Sequence, residues 1–250
     1  MSKTSGLGNQ LYLGGYDLSG TTGSLSKIAS PHATLDVTAI DKSAFERIGG
    51  LRDGAIDFTS FWDSINAHPS LSALPRTDVG VMFAMSKTLG TQAACMVAKQ
   101  LNYDPTRATG GALTEAVSTV ANSYGLEWCR TLTAGKRTDT AATNGASVDD
   151  GATNAPSTFG AQFYLQVFAF TGTDVTVKIQ DSADNATFAD LSGAAFTQIT
   201  STTPQAQRIS ISNAATVRRY LRAVTTTSGG VTSVTFAVAY NRNPLAGQVF

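Results

Sequence analysis

Histidine is nearly missing from this chain. His32 and His68 are the two among 250 residues. Enzymes gather titratable groups that converge on a reacting atom. Neither histidine sits in an H-E-x-x-H or G-x-S-x-G context. His32 follows Pro31 and His68 precedes Pro69, so both read as turn residues. Cysteine is scarce too: Cys95 and Cys129 fit no metal or redox spacing, and read as reduced apolar residues in strands. Charge is the third shortage. Charged residues make up 14% of the chain, with 18 basic and 18 acidic side chains, against about 25% in an ordinary soluble domain. Nothing supplies the field that a phosphate-binding surface needs. No apolar run approaches the roughly 18 residues of a membrane span. The start, Met1-Ser2-Lys3-Thr4-Ser5-Gly6, lacks the apolar core of a secretory signal. The expectation is therefore a non-enzymatic protein made in a cytoplasm, without membrane insertion, cofactor, metal or catalytic residues.

The missing charge is replaced by Ser, Thr, Ala and 23 Gly, while apolar residues still reach 42%. That is enough for a core. A neutral, threonine-rich coat is a poor way to stay monomeric and suits a surface that touches other protein. Short apolar alternation bounded by turn residues recurs, as strands require. Val175, Val177 and Ile179 share a face, as do Val234, Phe236, Val238 and Tyr240. Ile209 with Ile211, Leu35 with Val37, and Ile56 with Phe58 repeat the pattern. In 163–170, Phe163, Leu165 and Val167 fall on one face and Tyr164, Phe168 and Phe170 on the other. Such a strand is buried on both sides. Two short helices are expected. One runs from an Asp41 cap through Phe45 and Glu46 to Gly49-Gly50. The other lies around Ser70–Leu74 before Pro75. Residues 113–121 satisfy both a helical face (Leu113, Ala116, Val117, Val120) and a strand alternation.

Between Thr138 and Thr158 bulky apolar residues almost vanish, which reads as a linker or long loop. It divides the chain into 1–140, a linker over 141–158, and 159–250. The last part packs several short strands between turns such as Ser228-Gly229-Gly230, the rhythm of a β-sandwich. Chemistry-bearing motifs are few. Gly6-Leu7-Gly8, Gly14-Gly15 and Gly135-Lys136 are incomplete phosphate loops and read as turns. Asp181–Asn185 lacks the glycine and distal glutamate of a calcium loop. Arg218, Tyr220 and Arg222 would share a strand face, a cation–aromatic set able to hold a glycan or to pack as a solvated strand.

The stretch Asp41–Asp63, followed by Ala67-His68-Pro69 and Leu71-Ser72-Ala73-Leu74-Pro75, resembles tail tube proteins of long-tailed, non-contractile bacteriophages. Met96–Tyr103 and Tyr124–Trp128 are similar to members from phages of actinobacteria. The resemblance covers roughly residues 10–140. It implies a mainly β fold: an N-terminal tail-tube β-barrel or sandwich with short helices, and a C-terminal sandwich, immunoglobulin-like or carbohydrate-binding-module-like, on the outside. It also implies that 113–121 is a strand. Hexameric rings would stack into a tube whose lumen conducts DNA without binding it specifically. Partners would be the chain itself, through rings and ring stacking, then tape measure, tail-terminator and tail-tip proteins. The residence would be the virion tail, assembled in the host cytoplasm. The arm at 1–10 and the long loops become candidates for ring contacts. Asp36, Asp57 and Glu115 become candidate lumen-facing acids. The competing expectation is a carbohydrate-binding or adhesion module that takes host surface glycans through Arg218, Tyr220 and Arg222, with aromatics exposed near Tyr220 and Tyr240.

Overall fold

The computed structural model describes residues 5–153 and 155–245. The first four residues of the expected contact arm lie outside them. The protein is mainly β, and among the described residues its helix is the single turn α1. In chain order the N-terminal elements are β1 (Gln10–Leu13), β2 (Tyr16–Asp17), β3 (Thr22–Ala29), β4 (His32–Asp36), β5 (Arg47–Arg52) and β6 (Ala55–Phe61). Then come α1 (Ala67–Leu71), β7 (Val79–Ala84), β8 (Gln92–Gln100), β9 (Asp104–Arg107), β10 (Leu113–Ala121) and β11 (Glu127–Thr131). The chain continues with β12 (Arg137–Asp139), β13 (Asn144–Asp149), β14 (Ala161–Gly172) and β15 (Thr176–Ser182). It ends with β16 (Ala189–Ala195), β17 (Gln205–Ser210), β18 (Tyr220–Thr226) and β19 (Val231–Arg242).

A 13-stranded antiparallel sheet runs in the order β17-β14-β19-β11-β8-β10-β6-β3, with β1, β2, β7, β9 and β12 attached. A four-stranded sheet, β13-β18-β15-β16, covers one end of it. Directly opposed residues of antiparallel strands share a face, so the register locates the cores. Phe163, Tyr240, Arg130 and Gln92 form one row across β14, β19, β11 and β8. Trp128 opposes Ala94 on the same side. Phe163 and Tyr240 belong to the sandwich core with Val177, Ile179 and Leu221. Ala94 belongs to a second core with Ile56, Phe58, Val81 and Val117. Both cores thus lie on one face of the large sheet. On the other face Tyr12, Met82, Tyr164 and Ala239 pack together around Cys95 and Cys129, which are buried and unbridged. Burial pushes the Cys129 thiol up, with Cys95 beside it.

Several expectations change. Residues 41–49 form no helix; β5 pairs with β4 instead. The cap-like Asp41 and the i,i+4 pair Lys42–Glu46, 3.4 Å apart, decorate the hairpin tip. The second helix comes earlier than 70–74. Asp63 accepts from the N–H groups of Ile65 and Asn66, and Pro69 fits because the first turn has no use for its N–H. Residues 113–121 are strand β10, opposite β6 over seven positions. The expected linker contains β13, paired with β18, and β12 just before it pairs with β19. Phe170 changes face: a bulge between Val167 and Ala169 brings it into the sandwich core.

Candidate assembly surface

The β4–β5 hairpin is anchored at its base and uncovered along its shaft. The Asp53 N–H donates to the Pro31 carbonyl at 3.0 Å. Ser30 Oγ donates to the Leu126 carbonyl at 3.0 Å. Gly54 presses so close that a Cβ would sit 2.6 Å from Leu126 N, so glycine is required there. Further out, Asp36 Oδ1 accepts from the N–H and hydroxyl of Thr38, which hold its carboxyl below the usual range. The Glu46 N–H donates to Thr38 Oγ1 at 2.9 Å. The tip is thus shaped by its own hydrogen bonds. Its apolar residues are not buried: Ile40 is 106%, Leu51 87% and Phe45 70% exposed, with Leu35, Val37 and Ile48 also open.

β6 connects this hairpin to a second open apolar patch. At its far end lie Phe61, Trp62, Ile65 and Leu113, all exposed, with Trp62 N–H on the Leu113 carbonyl at 3.0 Å. Six rises of about 3.3 Å separate Ala55 from Phe61, so the base of the hairpin and the far patch lie roughly 20 Å apart along one strand. Six hairpin side chains at about 1.5–3 kcal/mol each offer on the order of 10 kcal/mol if covered. Association costs about 4–15 kcal/mol. One patch alone barely offsets that, whereas two engaged patches exceed it.

The candidate lumen acids do not converge. Asp36 is exposed on the hairpin. Asp57 opposes Ser118, and Glu115 opposes Ser60. Asp57 and Glu115 are therefore on opposite faces of the β6–β10 pair, with Glu115 on the side of Ile56 and Phe58. Glu115 is 0% exposed. It cannot face solvent, because the α1 region closes over it. Tyr103 Oη donates to Glu115 Oε1 at 2.6 Å and sits 2.7 Å from His68 Nδ1. Burial raises the Glu115 carboxyl above its usual range, and Oε2 has no hydrogen-bond partner.

The second candidate set is on the outer face of the four-stranded sheet, where its groups are already engaged. Arg222 donates to Gln180 Oε1 at 3.0 and 2.7 Å and lies 4.0 Å over the Phe188 ring. The Arg218 guanidinium is 3.8 Å from Asp181. Tyr220 is half-buried, with Arg219 at 5.1 Å over its ring. Arg219 also grips Asp149 at 2.6 and 2.7 Å. Tyr240, expected to be exposed, is buried, and its hydroxyl donates to Asp150. Gln180 and Asp149 come from other strands and Phe188 from the turn before β16, so they become visible only in the folded chain.

Among the described residues no helix is long and apolar enough to cross a membrane, and no group of three His, Cys, Asp or Glu could hold a metal. No protein-family profile matches the chain, and neither does any curated protein. In three dimensions the chain is similar to the Dit protein of SPP1, described as a paradigm of the hub adsorption apparatus in phages infecting Gram-positive bacteria. The match covers 94% of this chain and 99% of that one at 13% identity, with a TM-score of 0.32. At that level neither fold family nor function transfers.

Proposed function

We propose that this chain is a structural subunit of a bacteriophage tail tube. The observation that carries the reading is the pair of unlike apolar patches at opposite ends of β6. A single surface that meets itself makes a closed dimer, whereas two different surfaces meet head to tail and make rings or stacks. The segment Asp41–Asp63, which resembles tail tube proteins, contains Phe45, Ile48 and Leu51 of the hairpin and Phe61 and Trp62 of the far patch. The open path of the large sheet, ending at β3 and β17, leaves edges for a neighbour to pair with.

In this reading six copies form a ring, rings stack, and the lumen passes DNA without salt links. The low, balanced charge suits such a pore. Tape measure, tail-terminator and tail-tip proteins would meet the ends of the stack. The chain would work in the virion tail after assembly in the host cytoplasm, and it would not be an enzyme. Light scattering across concentration with negative-stain microscopy tests this. Rings or tubes that disappear in Phe45→Asp/Ile48→Asp support it. A monomer at every concentration, unaffected by those changes, overturns it.

A further inference from the structure

A cleft of about 610 Å³ opens on the large sheet between the two cores. Its floor comes from β8, β11 and β19, and its wall includes Thr153, Ser157 and Thr158. That volume suits one or two sugar rings. Trp128 lines it and is 50% exposed, although both its neighbours, Glu127 and Cys129, are buried. A flat aromatic left open on a strand inside a concave surface is a stacking platform.

Beside it stands a fixed charged wall. Asp150 accepts from Arg242 at 3.1 and 2.7 Å, from Arg130 and from the Tyr240 hydroxyl. Arg130 Nε donates to the Gly90 carbonyl at 3.0 Å, and Nη1 to the Asp149 carbonyl at 3.2 Å. Asp150 and Arg242 are buried, while Arg130 remains partly open to the cleft. These three are the charged residues lining it. Two arginines against one aspartate, +2 − 1, leave a single net positive charge in the lining, in a chain whose total is zero. Gln92 opposes Arg130 in register and is exposed.

We infer that this cleft binds an anionic sugar: a pyranose ring stacked on Trp128, its carboxylate or phosphate on Arg130, and its hydroxyls within reach of Gln92 and Thr158. Charge-assisted, geometrically fixed guanidinium contacts give the anion its preference over a neutral sugar. The lining of the site shares no residue with either β6 patch.

Fluorescence titration of a Trp62→Phe background, which isolates Trp128, tests it. The probes are glucuronic acid, glucose 6-phosphate, glucose and inorganic phosphate. Saturable change with the first two, at least about tenfold weaker for glucose, is expected. The stronger of the two acids names the anion. Arg130→Gln should remove the preference. Calorimetry with Trp128→Ala should show binding weakened about tenfold or more. Because Arg130→Gln disturbs the Asp150 contacts, Gln92→Ala serves as a milder second variant, expected to weaken both acids severalfold with an unchanged melt. The inference is overturned if no probe gives a saturable change. It is equally overturned if inorganic phosphate binds as tightly as the sugars and Trp128→Ala makes no difference, which would mark an ion site alone.

Discussion

The outer face of the four-stranded sheet and the β4–β5 hairpin are both exposed, yet they are finished differently. On the sheet, Arg222 has Gln180 and Phe188, Arg219 has Asp149 and Tyr220, and Lys178 has Asp190 at 2.6 Å. Each long cation covers an aromatic or neutralises an acid inside the chain. The hairpin carries Leu35, Ile40, Phe45, Ile48 and Leu51 with little over them; Arg47, 4.6 Å above the Phe45 ring, is one small cover. Contiguous apolar surface of that kind marks contact with another molecule. The difference teaches where to look for partners: the arginine-rich face that attracts attention in the sequence is self-satisfied, and the aliphatic hairpin is not.

Substitutions can break or sharpen this contrast. The largest effect belongs to the core beneath the four-stranded sheet. Phe236 is fully buried in the sandwich, so Phe236→Ala should cost about 3–5 kcal/mol in urea unfolding. Phe45→Ala on the hairpin should stay within about 0.5 kcal/mol for the monomer while weakening self-association. If Phe45→Ala unfolds the monomer, the hairpin is part of the core and the contrast fails.

Next comes Arg208, on β17, which reaches Glu127 on β11 at 2.8 Å and lies 3.7 Å over Tyr124. Arg208→Met strands the buried Glu127 and should cost roughly 3–5 kcal/mol. Adding Glu127→Gln should restore most of it. Additive losses would show that charge burial is not the cause.

Glu115 gives a pH test. Its folded carboxyl titrates above the ordinary value near 4.3, so the folded state holds more protons than the unfolded one in between. Its contribution is then present at low pH and declines as pH rises through that window. Thermal melts of Glu115→Gln should gain on the unsubstituted protein as pH increases from about 4. A constant gap would remove the buried acid from the account.

The smallest effect is expected at Asp149. The Arg219 guanidinium first, and then the Gly151 N–H, hold its carboxyl down to about 2. Its contribution exists above the ordinary aspartate value near 3.9 and is lost as pH falls toward 2. Asp149→Asn should shift the melt less than Phe236→Ala, Arg208→Met or Glu115→Gln, because the pair is exposed and screened.

Strands that bury one face were legible because period-two alternation reports burial directly. Val175–Ile179 and Val234–Tyr240 appear where the alternation put them. The segment 138–158 was not legible, because, apart from the buried Val148 and Ala155, polar bonds hold it in place. Arg137 binds Asp139 at 2.8 and 2.6 Å, Thr225 Oγ1 donates to Asp139 at 2.8 Å, and Asp150 locks onto Arg242. Partners 86 and 92 residues away leave no local trace. The 41–49 segment misled for a related reason. Its cap and i,i+4 pair are local helix signals, while pairing with β4 is worth more. For the assembly surface, its apolar residues were visible and their exposure was not. For Glu115, the residue was visible and its face was inverted, since a period-two pattern marks sides without saying which is inside.

β6 also works as a spacer. Its seven residues set the separation between the hairpin and the Trp62 patch, so any repeat built on those two contacts inherits the strand's length as its step. Lengthening β6 and β10 by two residues each would keep every side chain on its face and stretch the step by about 6.6 Å. Lengthening by one would turn the far patch inward.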